Sequence, residues 1–403
     1  MSESQGNRDT ILHIAPTPFF SDRGCHIRIA GIVTCLQKLN FNNLVCTYHL
    51  GKDVNGIATC RIANIKNYQK TTAGPSKYKL WADFKLLCIA LKQYRHTRPV
   101  AIHAHLHEGV LVAWFVKLLN FWRRTPVVAD LQGSLVGELE TYGSFKKYPF
   151  LKWPIALIER VLLLLPNHIV CSSQHALEIM TARFPESAHK LTLAQDGADE
   201  PEAVDQSELA QLRSQLDIDP EAICVVYSGV LMESKGLNEL KQIIHLCKGQ
   251  TKPIHFLIVG YPTEELTEFL HSNNLESICS LTGQIPFDTL PSYLALGDIA
   301  LDTKNSEAGE GSGKILNYMA NAKPIIAFNT TNNRKFLGTD TTLANNVNEA
   351  HQIMMSFADD QSTRRNTGKQ HYERFKHKYS WDVSVTQLEA VYRRFLPVHF
   401  DKE

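Results

Sequence analysis

The chain alternates short apolar runs with longer amphipathic stretches, a pattern that predicts an α/β protein built on parallel sheets. ILHIA (11–15) reads as a buried strand and Ile27–Leu39 as the helix that follows it. NLVCTY (43–48), AIHAHL (101–106) and PVVADLQ (126–132) are further strands, the last two separated by a helix through Trp114 and Phe121. NHIVCSS (167–173) leads into a helix over 174–184, and LTLAQDG (191–197) closes this series. Residues 198–213 are acidic, carry Pro201 and read as an interdomain linker. A second alternation then begins. CVVYSG (224–229), IHFLIVG (254–260), ICSLTG (278–283), DIALDT (298–303) and PIIAFN (324–329) are strands spaced by helical stretches such as Leu237–Cys247. The tail Arg364–Phe395 is one long helical pattern beyond the second set of strands, and its apolar stripe must be buried somewhere.

The spacing therefore predicts two Rossmann-like domains facing each other across a cleft, residues 1–200 and 205–375, with a C-terminal helix (376–403) returning to the first. A length of 403 residues fits this reading, since single cores stop growing near about 250–300 residues. The 42 Lys and Arg against 41 Asp and Glu exclude a nucleic-acid-coating protein. Nine scattered cysteines without a C-x-x-C pair point to reduced thiols and away from structural zinc. The polar start MSESQGNRDT has no signal-peptide core, so a cytoplasmic protein is expected. The greasiest stretch, Trp153–Pro166, is broken by Glu159 and Arg160 and is shorter than the roughly 20 apolar residues of a membrane span.

In open α/β sheets ligands bind beyond the carboxyl ends of the strands, where turns open onto helix N-termini. Three segments qualify. In PTPFFSDRGCHIRI (16–29), Gly24 lies between a strand and a helix, without the G-x-G-x-x-G of a dinucleotide site. In SGVLMESKGLNEL (228–240), Gly229 ends a strand and Lys235 precedes a helix, where a lysine can neutralise phosphate. In NSEAGEGSGKILNYMANAKPIIAFN (305–329), Gly309, Gly311, Ser312 and Gly313 offer backbone N–H groups to a pyrophosphate. Lys314 adds a charge there, and Asn317 lies one turn on, within reach of a ribose.

These segments resemble, in order, the motifs of the GT-B-fold glycosyltransferases of family 4. SGVLMESKGLNEL is similar to that family's G-R-L-x-x-x-K-G-x-x-x-L turn, and FLIVG (256–260) to its strand ending in glycine. LTGQIPFDTLPSYLALGDIAL (281–301), ILNYMANAKPIIA (315–327), LAQDGAD (193–199) and YSWDVSVTQLEAVYRRFL (379–396) match four further segments. The resemblance implies a retaining, metal-independent hexosyltransferase with a UDP- or GDP-sugar held by the C-terminal domain. Lys235 carries over as the donor-phosphate lysine, and Gly311, Ser312 and Gly313 as phosphate donors. Glu310 and Lys314 flank them, and Asn317 takes the place of the ribose-binding glutamate. Gly229, Gly260, Gly283, Gln284 and Ile285 would line the donor, and Gly24 the N-terminal side of the pyrophosphate. The acceptor, a glycan or a lipid-linked sugar of surface polysaccharide or glycolipid synthesis, would enter near His105, His107, Glu108 and Gln132. Gln132, able to hold a sugar hydroxyl or a carbonyl, and Glu108, a spare carboxylate in the same region, join Lys235 as the candidate catalytic residues.

The chain departs from the family at defined positions. Val230 replaces an arginine, Gly309 and Asn317 stand where paired glutamates are usual, and Gln132 stands in a turn that carries histidine in many relatives. Those departures leave two alternatives beside the transferase: a nucleotide-sugar epimerase of the same fold and a non-catalytic binding subunit. His103, His105 and His107 alternate along a strand end, but no carboxylate or cysteine cluster accompanies them in sequence, so no metal is expected. Finally, VLVAWFVKLLNFWRR (110–124) and GSFKKYPFLKWPIALIERVLLLLP (143–166) mix aromatics with Lys and Arg. They read either as ordinary packing helices or as a peripheral contact with the inner face of an anionic membrane through residues 110–160.

Overall fold

The computed structural model describes residues 9–71, 76–141, 144–250, 252–305, 312–338 and 342–400. It divides into two compact units, residues 1–197 with 381–403 and residues 198–308 with 312–380.

The first unit is built on a parallel seven-stranded sheet of β1 (Thr10–Ala15), β2 (Asn42–Thr47), β3 (Ala58–Arg61), β4 (Ala101–His105), β5 (Val127–Leu131), β6 (His168–Cys171) and β7 (Leu191–Leu193). Its spatial order is β3-β2-β1-β4-β5-β6-β7. Because parallel strands are buried on both faces, they read as near-continuous apolar runs, as ILHIA does. The connecting helices are α1 (Gly24–Lys38), α2 (Lys79–Thr97), α3 (Leu106–Leu118), α4 (Leu135–Thr141), α5 (Ser144–Lys147), α6 (Lys152–Leu164) and α7 (Gln174–Arg183). On one sheet face Leu12 and Ile14 pack with Leu86 and Ala90 of α2, Ala113 and Val116 of α3, Leu163 of α6 and Met180 of α7. On the other, Ile11, Val128 and Val170 pack with Ile32 and Leu36 of α1.

The second unit opens with α8 (Gln206–Gln215), so the stretch expected to be linker through 213 turns helical once Asp205 caps Ser207. Its parallel sheet holds β8 (Ile223–Ser228), β9 (Ile254–Val259), β10 (Cys279–Leu281), β11 (Ile299–Asp302), β12 (Ile325–Phe328) and β13 (Leu343–Ala344), in the order β10-β9-β8-β11-β12-β13. Helices α9 (Leu237–Leu246), α10 (Glu264–Asn273), α11 (Leu290–Leu296), α12 (Gly313–Ala320), α13 (Thr331–Leu337), α14 (Val347–Asp359) and α15 (Gln361–Lys378) cover it.

The single tail helix expected over 364–395 is two helices. α15 ends at Tyr379–Ser380, where the Tyr379 carbonyl accepts the Ala198 N–H. α16 (Trp381–Arg393) and α17 (Pro397–Phe400) belong to the first unit. α16 packs on α1, and Gly31 makes room for it: a Cβ there would lie 2.1 Å from the Trp381 ring. Two sheets with flanking helices make the α/β, double Rossmann-like architecture expected from the alternation.

Candidate functional site

In each unit the chain runs outward from its first strand, then returns to the other side of it, which creates a crevice at the carboxyl ends of the two central strands. In the second unit these are β8 and β11. Gly229 ends β8, and Gly260 ends β9 so close to it that a Cβ on Gly260 would lie 2.0 Å from the Gly229 carbonyl oxygen. Lys235 closes a short 3-10 turn, Glu233–Lys235, and is half-buried. Gly236 follows with φ +87°, and a Cβ on it would stand 1.9 Å from the Thr303 carbonyl oxygen, just past β11. Only glycine combines that left-handed backbone with so close an approach, so Gly236 fixes Lys235 beside the end of β11.

α12 enters the same crevice. The Lys314 ammonium pairs with the Asp302 carboxylate at 2.6 Å and lies 4.5 Å over the Tyr227 ring. Burial works against its charge, but Asp302 outweighs it and holds Lys314 protonated well above the ordinary lysine range. Tyr318 anchors the helix: its hydroxyl accepts the Ser228 N–H at 2.7 Å and donates to the Leu301 carbonyl. Ser312 is buried just before α12, its hydroxyl 3.5 Å from Asp302.

Lys235, Gly229, Gly260, Ser312 and Lys314 thus gather at one strand-end crevice, with Gly313 beginning α12. Asn317 does not extend outward in the way its spacing suggested: its amide donates to the Gly313 carbonyl at 3.0 Å, one turn back on its own helix. Gly283, Gln284 and Ile285 follow β10, two strands from β8, where Gln284 is exposed and Ile285 packs on the core. Glu310 and Gly311, with Gly309, lie outside the described residues. Asp302, Tyr227 and Tyr318 escaped the sequence reading. Their signal was an aspartate closing the apolar run IALD and a tyrosine one helical turn after Lys314.

In the first unit the central strands are β1 and β4. Gly24 begins α1 with open space where a Cβ would go, so nothing in the fold demands glycine there. The loop before it is held by His26, whose Nδ1 accepts the Ser21 N–H at 2.9 Å, leaving Nε2–H to donate to Thr17 at 2.6 Å. Beyond β4, Glu108 is not a spare carboxylate: it is ion-paired with Lys79, which outweighs burial and keeps it ionised. His107 is buried 3.7 Å from Glu159. Glu159 is itself wholly buried, accepts the Leu135 N–H at 2.7 Å and lies 3.3 Å from Arg183. Those contacts fix the start of α4 and, with it, the Gln132-Gly133-Ser134 turn. Ser134 accepts from Arg183 at 2.6 Å. The Gln132 Nε2 is buried with no hydrogen-bond partner among the described residues, a donor that the fold leaves unsatisfied.

His103 and His105 share a face of β4, as alternation predicts, whereas His107 is on α3. A carboxylate missed in the sequence, Asp130, completes a set whose ligand-type atoms lie within 4.8 Å of one another. Its oxygens already serve Arg28 (2.6 Å) and His105 (2.9 Å). His105 in turn contacts His13 at 3.0 Å, and His13 contacts Asn43 at 2.9 Å. The guanidinium supplies the cation, so the cluster is a buried hydrogen-bonded network under α1.

Residues 222–359 match the family described as "Glycosyl transferases group 1". No curated protein matches the sequence. Among solved structures, sucrose-phosphate synthase from Thermosynechococcus elongatus superposes with TM-score 0.76 at 16% identity, covering 97% of this chain and 100% of that one. Anabaena Alr3699/HepE, solved in complex with UDP and glucose, gives 0.73 at 16% identity over 96% and 100%. WaaG, a glycosyltransferase involved in lipopolysaccharide biosynthesis, gives 0.67 at 7% over 94% and 98%. The chain therefore has the fold of the GT-B glycosyltransferases, and the segment that matches group 1 contains the whole β8–β11 crevice.

Proposed function

We propose that the protein is a retaining glycosyltransferase that moves a sugar from a UDP- or GDP-sugar to a glycan or lipid-linked acceptor, without a metal. The observation that carries this reading is the β8–β11 crevice, which places Lys235, Ser312 and the start of α12 together inside the segment matching the glycosyltransferase family. In the proposed reaction the bond from the anomeric carbon to the diphosphate breaks and a bond to the acceptor oxygen forms. The acceptor proton passes to the departing diphosphate, so no strong protein base is required. Lys235 and the backbone N–H groups at the start of α12 meet the charge that develops on the diphosphate. Lys314, neutralised by Asp302, serves chiefly to hold that helix start in place. Gln132 offers its amide to an acceptor hydroxyl or carbonyl.

The reading extends to surface polysaccharide or glycolipid synthesis at the inner face of a membrane, since a lipid-linked acceptor would be met at a bilayer surface. Incubation with a panel of UDP-, GDP- and ADP-sugars and candidate acceptors, with and without chelator, tests it. Transfer or slow donor hydrolysis from one nucleotide class, unaffected by chelator, is expected. Binding of no nucleotide would defeat it. The Asn317 amide turned back onto Gly313 favours one second reading, a GT-B relative that binds nucleotide without turnover; tight binding with no product from any acceptor would select it.

A further inference from the structure

The outer surface of the layer formed by α2, α3 and α6 is apolar where a soluble helix is normally polar. α3 packs between its two neighbours, and all three bury one face in the same core. Their opposite faces carry a second stripe. Leu111, Phe115 and Leu118 of α3 recur at helical spacing and run on to Phe121 and Trp122, which are 77% and 64% exposed. Trp153, Leu157, Val161 and Leu164 of α6 form a parallel stripe, with Trp153 75% exposed. Trp81 and Phe84 of α2, stacked at 5.3 Å, extend the surface beyond the residues 110–160 that the sequence suggested. A helix apolar on both sides requires something against its second face.

Charge identifies what that is. Segments 77–98, 111–124 and 144–164 contain thirteen lysines and arginines and two acids, in a chain whose net charge is +1. Neither acid is a free surface charge: Asp83 is hydrogen-bonded by Tyr48, and Glu159 is wholly buried. Lys79, Lys152 and Arg160 are paired with Glu108, Glu140 and Glu186. Those three glutamates offset only part of the excess. A second copy of this chain would bring two such positive faces together, which like-charge repulsion opposes. A bilayer surface rich in anionic headgroups satisfies both halves of the pattern: aromatics enter the headgroup boundary while Lys and Arg meet phosphate. No helix among the described residues is long and apolar enough to cross a membrane, so the contact would lie in the interface plane.

We infer that the α2–α3–α6 surface docks the protein on an anionic membrane. The surface stands on its own geometry; only its link to a lipid-linked acceptor rests on the transferase reading. Flotation of the full chain with vesicles of phosphatidylcholine, alone or with about a third phosphatidylglycerol, tests it. The protein should float with the anionic vesicles only, less so as salt is raised, and Trp fluorescence should shift to the blue. Trp122→Ser with Trp153→Ser, and separately Arg123→Glu with Arg124→Glu, should each weaken vesicle binding by about tenfold or more while leaving nucleotide titration unchanged. Absence of flotation by the wild type overturns the inference. So does a wild-type dimer that ignores vesicles and is split by the same substitutions, which would assign the surface to a second copy. Nucleotide titration on the same samples keeps the two readings separate: flotation without nucleotide binding sinks the transferase alone.

Discussion

The Lys314 ammonium lies 2.6 Å from the Asp302 carboxylate, with 16% and 1% of these side chains exposed. The pair joins the first turn of α12 to the end of β11, the two elements that bound the proposed phosphate site. Breaking such a pair from one side strands a buried charge, at a cost of about 3–5 kcal/mol. Lys314→Met and Asp302→Asn should each lower the urea midpoint strongly. The double substitution should recover much of the loss, because neither charge is then left alone. Additive losses would show that the pair is not coupled.

Gly236→Ala should be severe. The new methyl would meet the Thr303 carbonyl at 1.9 Å on a backbone with φ +87°, a clash of the kind that costs about 2 kcal/mol or more. Thermal unfolding should fall and nucleotide binding weaken, since Lys235 moves with the turn. Gly24→Ala, where a methyl meets open space, should change the unfolding temperature little. Equal effects from the two would refute the strand-end argument.

Acid should destabilise the first unit before its carboxylates titrate. Burial pushes His26 down to about 3, and burial with His105 does the same to His13; His103 is driven well below the histidine range by burial. These histidines bind protons only after unfolding, where their pKa is about 6.5, so stability is full above that value and falls as pH drops toward 3. Between pH 8 and 5.5 each should cost about 1 kcal/mol, measured as the denaturant midpoint. His13→Asn should flatten the slope. A profile without slope between pH 7 and 5 would mean that these rings are not held neutral.

Gln132→Ala should raise the acceptor KM while leaving nucleotide affinity unaltered, because its orphaned Nε2 belongs to the first unit, whereas the residues proposed to hold phosphate belong to the second. Steady-state kinetics at saturating donor provide the check. A change in nucleotide affinity of the same size would place Gln132 elsewhere in the mechanism.

Strands were legible wherever a buried run left no choice, as with IHFLIVG; β3 and β13 were not, because ATCR holds no apolar run and the two residues of β13 are too few to show one. The tail read as one helix because YSW keeps helical periodicity. Its break at Tyr379–Ser380 is set by contacts with Ala198 and, in the other unit, by Trp381 against Gly31, distant in sequence and therefore invisible in it. At the site, glycines and Lys235 could be found by spacing from strand ends. Their partners could not. Whether Glu108 is spare, whether Lys314 is neutralised and which way Asn317 turns all depend on groups 29, 12 and 4 residues away, of which spacing shows only the last.

The central claim is that a nucleotide diphosphate sugar binds at the β8–β11 crevice through Lys235. Calorimetric titration of UDP, GDP and ADP into the intact protein and into Lys235→Ala, with unfolding temperature as a fold control, tests it most directly. One nucleotide should bind the wild type, stabilising it by about 2.7 kcal/mol at 100 times its Kd. The variant, folded equally well, should bind at least about tenfold more weakly, as loss of a charge-assisted phosphate contact implies. Equal binding by the two proteins, or none by either, would contradict the account.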